Sequence, residues 1–173
     1  MIRLGILGLL LLIGHMVHAG PVRGVFDSID GGQLSMKEWQ GRPVLVVNTA
    51  SQCAYTDQYV GLQKLYDRYR DRGLIVLAVP SDDFNQELDT SEDVKQFCEV
   101  NYGLDVPMTD IKSVRGSSAH PFYRQVKEDT GFEPRWNFNK VLVAPDGSVA
   151  ATFGSATRPD SGKIVSAIEE LLN

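Results

Sequence analysis

The sequence predicts an α/β fold in which a central mixed sheet is flanked by helices and preceded by a β-hairpin. Three observations carry this. Leu74 to Val79 is almost wholly apolar, as expected of a parallel strand covered on both faces. The run Pro43 to Asn48 reads as a second buried strand, and an amphipathic helical pattern separates the two. Two further strand pairs are joined by the turn sequences Asp30-Gly31-Gly32 and Pro145-Asp146-Gly147.

In chain order, residues 24–29 and 33–36 form the first hairpin, and residues 43–48 the first central strand. Tyr59 to Arg72 is a helix with Leu62, Leu65, Tyr66 and Tyr69 on one face, ended by Gly73. After strand 74–79, residues 80–89 form a polar loop. Thr90 caps a helix over 91–101, with Asp93 in capping-box position and Val94, Phe97 and Cys98 facing inward. Residues 121–127 predict a short helix. Residues 138–144 and 148–153 predict a hairpin, and a last helix holds Ile164, Val165, Ile168, Leu171 and Leu172. This order is that of a thioredoxin-like sandwich with additional elements, an assignment that rests in part on analogy.

Residues 1–19 read as a leader. Met1-Ile2-Arg3 is basic, Leu4 to Ile13 is apolar and broken only by glycines, and Val17-His18-Ala19 suits cleavage after Ala19. The apolar run is shorter than the roughly 20 residues that span a bilayer, so secretion is favoured over an uncleaved anchor, with no stable membrane association. The expected compartment is an oxidising bacterial periplasm. Residues 20–173 are then one domain, large enough for a proper core.

The formal charge is −5, without a basic run, which argues against nucleic acid as a partner. Of three histidines only His120 lies beyond the leader, and it reads as a structural residue at a helix start. One histidine and two cysteines 45 positions apart do not make a metal site, and no metal or organic cofactor is expected.

The chemistry converges on the two cysteines. Cys53 sits between a buried strand and a helix start, where unpaired N–H groups and the helix dipole favour a thiolate, although free cysteine is also a common small core residue. Cys98, spaced with Val94 and Phe97, reads by itself as a core residue. The absence of Cys-x-x-Cys disfavours a dithiol exchanger of the thioredoxin type. Trp136 and Asn137 follow a turn-rich stretch; they read equally as hydrogen-bond donors to a thiolate or as a core tryptophan and a turn asparagine.

Asn48-Thr49-Ala50-Ser51-Gln52-Cys53-Ala54-Tyr55-Thr56 resembles the peroxidatic motif of glutathione peroxidases, Asn-x-Ala-Ser-x-Cys/Sec-Gly-x-Thr. Trp136-Asn137-Phe138-Asn139-Lys140 resembles their Trp-Asn-Phe-x-Lys motif. Phe97 to Gly103 is similar to the resolving-cysteine helix of the thioredoxin-dependent branch, and His120-Pro121-Phe122-Tyr123 and Thr157-Arg158-Pro159 also fit. The resemblance covers most of residues 24–172. It implies a non-selenium peroxidase in which Cys53 attacks a peroxide, Trp136 and Asn137 support it, and Cys98 resolves the sulfenic acid as a disulfide. The implied reductant is a thioredoxin-like dithiol protein rather than glutathione, and a monomer is expected.

Two departures stand out. Ala54 replaces the usual glycine, and Asp83 occupies the place of the supporting glutamine when the loop is aligned on Phe84. An ionised aspartate near the thiolate would repel it. Asp83 is therefore protonated, or turned away, or replaced in its role by Gln86 from a shortened loop. The alternative function is a redox-sensing or binding protein of the same fold with weak turnover.

Overall fold

The computed structural model describes residues 20–173; the leader expected over 1–19 lies outside the described residues. A four-stranded mixed sheet has the order β4-β3-β5-β6, built from β3 (Val44–Thr49), β4 (Ile75–Pro80), β5 (Lys140–Val143) and β6 (Val149–Phe153). The hairpin of β1 (Val25–Asp27) and β2 (Gln33–Ser35) forms a separate two-stranded sheet. β3 pairs parallel with β4, Val44 opposite Ile75, and antiparallel with β5, Val44 opposite Val143.

Side chains alternate along each strand, so the sheet feeds two cores. Leu45, Val47, Val76, Ala78 and Leu142 face α1 (Gln58–Tyr69), α2 (Ser91–Tyr102) and α4 (Gly162–Leu171). Val44, Val46, Ile75, Leu77, Val141 and Val143 face α3 (Pro121–Thr130), Phe26 and Met36. Burying each large apolar side chain contributes about 1.5–3 kcal/mol, which explains why β3, β4 and β5 carry almost nothing polar except at the ends that meet the site.

Several boundaries differ from the sequence expectation. The helix expected to reach Arg72 ends at Tyr69 and tightens into a 3-10 turn over Arg70–Arg72 before Gly73, in the left-handed region. The short helix expected over 121–127 runs to Thr130, where Gly131 ends it. Its N-cap is His120, whose Nδ1 accepts from the Phe122 N–H while its ring stacks on Phe26 at 4.0 Å. β5 starts at Lys140 rather than 138 because Phe138 has φ 58°, which no strand tolerates. Thr90 caps α2 by accepting from the Asp93 N–H at 3.1 Å, but its hydroxyl turns to the Asp93 carboxylate in place of the second arm of the box. The segment around Met108 runs beside β4, with the Ala78 N–H donating to the Pro107 carbonyl and the Thr109 N–H to the Ala78 carbonyl. It covers what would be an open sheet edge, a role masked in the sequence by its proline.

Candidate active site

Cys53 follows the end of β3 in the turn that leads to α1. It is 5 % exposed, and the Tyr55 N–H points at its sulfur at 3.5 Å. The turn is closed by the Thr56 N–H on the Cys53 carbonyl, and α1 begins five residues after the cysteine.

Two loops clamp this turn. The Gln52 N–H donates to the Gln86 carbonyl at 2.9 Å, and the Ser51 N–H to Glu87 Oε1 at 2.9 Å. Glu87 is buried, its Oε1 also accepts from the Leu88 N–H, and burial raises its carboxyl above the usual range. On the other side, the Asn48 side chain grips the segment before β5: Nδ2 donates to the Trp136 carbonyl at 3.0 Å and Oδ1 accepts from the Asn139 N–H at 3.1 Å. The left-handed turn at Phe138 reverses the side chains here, and Asn137 is buried with its Nδ2 donating to Gln86 Oε1 at 3.0 Å. Trp136 is 42 % exposed and its ring lies 5.4 Å from that of Phe84.

Asp83 takes no part in this cluster. Its carboxylate accepts from the Ser113 hydroxyl at 2.9 Å and from the N–H groups of Val114 and Arg115 at 2.6 and 3.1 Å. Of the three outcomes left open for Asp83, these three donors fit the one in which it is turned away, and the side-chain amide that meets Asn137 belongs to Gln86.

Cys98 is fully buried on α2, and its thiol is pushed up to about 12, chiefly by burial. Both cysteines are free, and both border the core cluster on the α1 side of the sheet. The Tyr59 hydroxyl lies near the Cys98 thiol and Thr49, without a hydrogen bond of normal geometry to either. Among the described residues, seven buried side-chain polar atoms lack a partner, and five of them belong to Thr49, Ser51, Tyr59, Glu87 and Asn137.

A second network lies beneath. Lys140 is fully buried, donates to Gln58 Oε1 at 2.6 Å and the Thr157 carbonyl at 2.7 Å, and is pushed down to about 7 by burial and the nearby Arg158. Ser155 bonds the Asn137 carbonyl at 2.5 Å and Asn139 at 2.9 Å, and its carbonyl accepts from Gln58. Sequence reasoning missed the supporting roles of Glu87, Gln58 and Ser155. Their only sequence signal is a polar residue beside a motif, which is ordinary for a surface turn. Among the described residues, no group of three His, Cys, Asp or Glu could hold a metal ion, and no helix is long and apolar enough to cross a membrane.

Residues 24–127 match the family model for glutathione peroxidase. A hydroperoxy fatty acid reductase of Synechocystis sp. is 39 % identical over 157 residues, covering 84 % of this chain and 92 % of the relative. A glutathione peroxidase-like peroxiredoxin of Schizosaccharomyces pombe is 40 % identical over 136 residues, covering 76 % and 86 %. Among solved structures, T. cruzi GPX1 superposes with a TM-score of 0.65 at 27 % identity, covering 86 % of this chain and 93 % of that one. A thiol:disulfide interchange protein of Chlorobium tepidum superposes at 0.69 with 12 % identity, over 90 % and 97 %, a likeness of fold alone.

Proposed function

The chain belongs to the glutathione peroxidase family, and from that premise we propose that it is a thiol-dependent peroxidase working through Cys53. The Cys53 thiolate attacks one oxygen of a hydroperoxide and the O–O bond breaks. The sulfur keeps that oxygen as a sulfenic acid, and the other oxygen takes up a proton and leaves as water or an alcohol. Trp136, Asn137 and Gln86 are assigned to support the reacting sulfur, because the segments that carry them bond to the strand and turn that hold Cys53. The preorganised 86–88 and 136–139 segments mean that little must move as charge shifts from sulfur to oxygen.

Cys98 then condenses with the sulfenic acid, forming a disulfide and releasing water, and an external dithiol protein reduces the disulfide by exchange. The observation that carries the reading is the placement of Cys53 at the end of β3, with the Tyr55 N–H on its sulfur and the Gln86–Asn137 pair beside its turn. A thioredoxin-like reductant is favoured over glutathione by the second cysteine. Secretion into a periplasm rests on the leader-like pattern of residues 1–19, and the monomeric state on the lack of an evident oligomerisation insert between His120 and Trp136. The test is peroxide consumption by purified protein with a dithiol reductant: turnover that Cys53→Ser abolishes supports the reading, and absence of turnover with any thiol reductant favours the redox sensor.

A further inference from the structure

A cavity of about 460 Å³ lies at the Val44 end of β3, whereas Cys53 follows the Thr49 end. Its walls come from residues 21–25, 35–44 and 143–147. Backbone hydrogen bonds tie these segments together: Met36 N–H to the Gly24 carbonyl at 3.0 Å, Gly41 N–H to the Pro145 carbonyl at 2.9 Å, and Val22 N–H to the Gly147 carbonyl. Gly147, at φ 87°, lets Pro21 approach so closely that any side chain there would collide with it. The hollow is thus built into the backbone. Its surface is largely apolar, with Val22, Met36, Val44 and Val143 buried and Trp39 partly buried along it. Its charge is of one sign: Arg23, Lys37 and Arg42 line it, and no Asp or Glu does. Arg42 Nε donates to the Gly73 carbonyl at 2.9 Å, which fixes that guanidinium and leaves its terminal nitrogens to other partners. Among the described residues, none of the three cations forms an ion pair. Of the acids adjacent in sequence, Glu38 does not line the cavity, and Asp146 accepts from the Ser148 N–H and hydroxyl at 2.9 and 2.6 Å. A chain of net charge −5 therefore sets three cations, without a counter-charge, around one apolar hollow.

We propose that this cavity is a binding site for a small amphipathic anion, its aromatic or apolar body lying among Met36, Trp39 and Val143 and its single acidic group pairing with Arg23, Lys37 and Arg42. Concave, mostly apolar hollows of roughly 300–1,000 Å³ with a few placed polar groups are where proteins bind small molecules. An inorganic anion would leave the apolar walls unused, and a neutral apolar molecule would leave the cations unpaired. A ligand that carries both parts satisfies both. The site is separate from the peroxide chemistry, and it stands whether or not Cys53 turns over peroxide.

The test titrates the full chain with 1-naphthalenesulfonate and with 1-naphthalenesulfonamide, which share a body and differ in charge. The readout is the nuclear magnetic resonance shift of the Trp39 indole N–H, told apart from that of Trp136, the other tryptophan, by Trp39→Phe. The sulfonate is expected to saturate with a Kd of about 1 mM or tighter, and to bind about tenfold more tightly than the sulfonamide at low salt, less so at high salt. Arg23→Gln combined with Lys37→Gln keeps the walls and the Arg42 bond to Gly73. It should weaken the sulfonate by about fivefold and leave the sulfonamide unchanged. Equal affinity for the two compounds, an unaltered ratio in the double variant, or no saturable binding of the sulfonate overturns the proposal. So does a shift at Trp136 in place of Trp39, which would put the probe near Cys53. Retention on phosphatidylglycerol vesicles without binding of the free sulfonate would make this face a membrane contact and overturns it as well.

Discussion

The side-chain amide of Asn137 donates to Gln86 Oε1 at 3.0 Å, linking the loop after β4 to the segment that enters β5. Asn137 belongs to a recognisable motif. With the loop aligned on Phe84, Asp83 rather than Gln86 falls at the supporting glutamine that the resemblance implies. The pair joins two segments that both also bond to the ends of the Cys53 strand and turn, the first through Gln52 and the second through Asn48.

Gln86→Ala leaves the buried Asn137 amide without a partner. The variant is expected to lose about 1–3 kcal/mol of stability and roughly ten- to a hundredfold in kcat/KM for peroxide. Chemical denaturation and stopped-flow peroxide kinetics measure the two losses; a variant with wild-type kinetics would show the pair to be scaffolding only.

Cys53→Ser should abolish peroxide reduction while leaving the fold intact, because an unactivated hydroxyl is a far poorer nucleophile than a thiolate. Circular dichroism verifies the fold, and retained activity would remove Cys53 from the mechanism.

Cys98, buried and with its thiol pushed up to about 12, is expected to resist alkylation at pH 8 in the reduced protein and to yield only when α2 opens. Between pH 9 and 12 the unfolded chain releases this proton and the native state keeps it, so the group's contribution to stability falls as pH rises through that window. Mass spectrometry after one equivalent of peroxide should find Cys53 linked to Cys98. Cys98→Ser should stop at the sulfenic acid or over-oxidise, and normal turnover of that variant with a dithiol protein would make Cys98 a core residue.

Lys140 gives a contribution of opposite sign. Below pH 7 it is charged in both states, and burying the charge costs stability. From about 7 to 10.5 the native state has released a proton that the unfolded chain retains, so stability rises with pH. Denaturation at pH 7 and pH 9 should show this rise in the wild type and a smaller one in Lys140→Met. Equal pH dependence in both would mean that its oxygen partners keep Lys140 charged.

Asp83→Ala leaves the Val114 and Arg115 N–H groups without their acceptor and should cost about 1–3 kcal/mol, read from its denaturation midpoint. Asp83→Asn should not speed the first step with hydrogen peroxide, since the carboxylate already faces the turn. A clear acceleration would place that carboxylate near the thiol in solution.

The sheet and its helices were legible because apolar periodicity records which face is buried. Two of the misjudged boundaries share one cause. Phe138 in a left-handed conformation and the 3-10 ending of α1 are set by tertiary contacts, here the Phe138 N–H on the Asn48 carbonyl and the Arg42 side chain on the Gly73 carbonyl. In the site, cysteine and tryptophan announce themselves by rarity and motif. Asp83 and Gln86 could not be sorted from the sequence, because three residues of loop decide which side chain turns inward. The 113–115 turn that captures Asp83 lies 30 residues away.

The position of Val22 has a further consequence. The Val22 N–H bonds the Gly147 carbonyl at 2.8 Å in the turn after β5, at the Val44 end of the sheet, whereas Cys53 follows Thr49 at the other end. A six-residue strand separates the two by roughly 16–20 Å. A tether joined at Val22 would hold the molecule beside the Gly147 turn, at the end of the sheet away from Cys53. A protein immobilised there would keep the Cys53 end of β3 clear of the attachment.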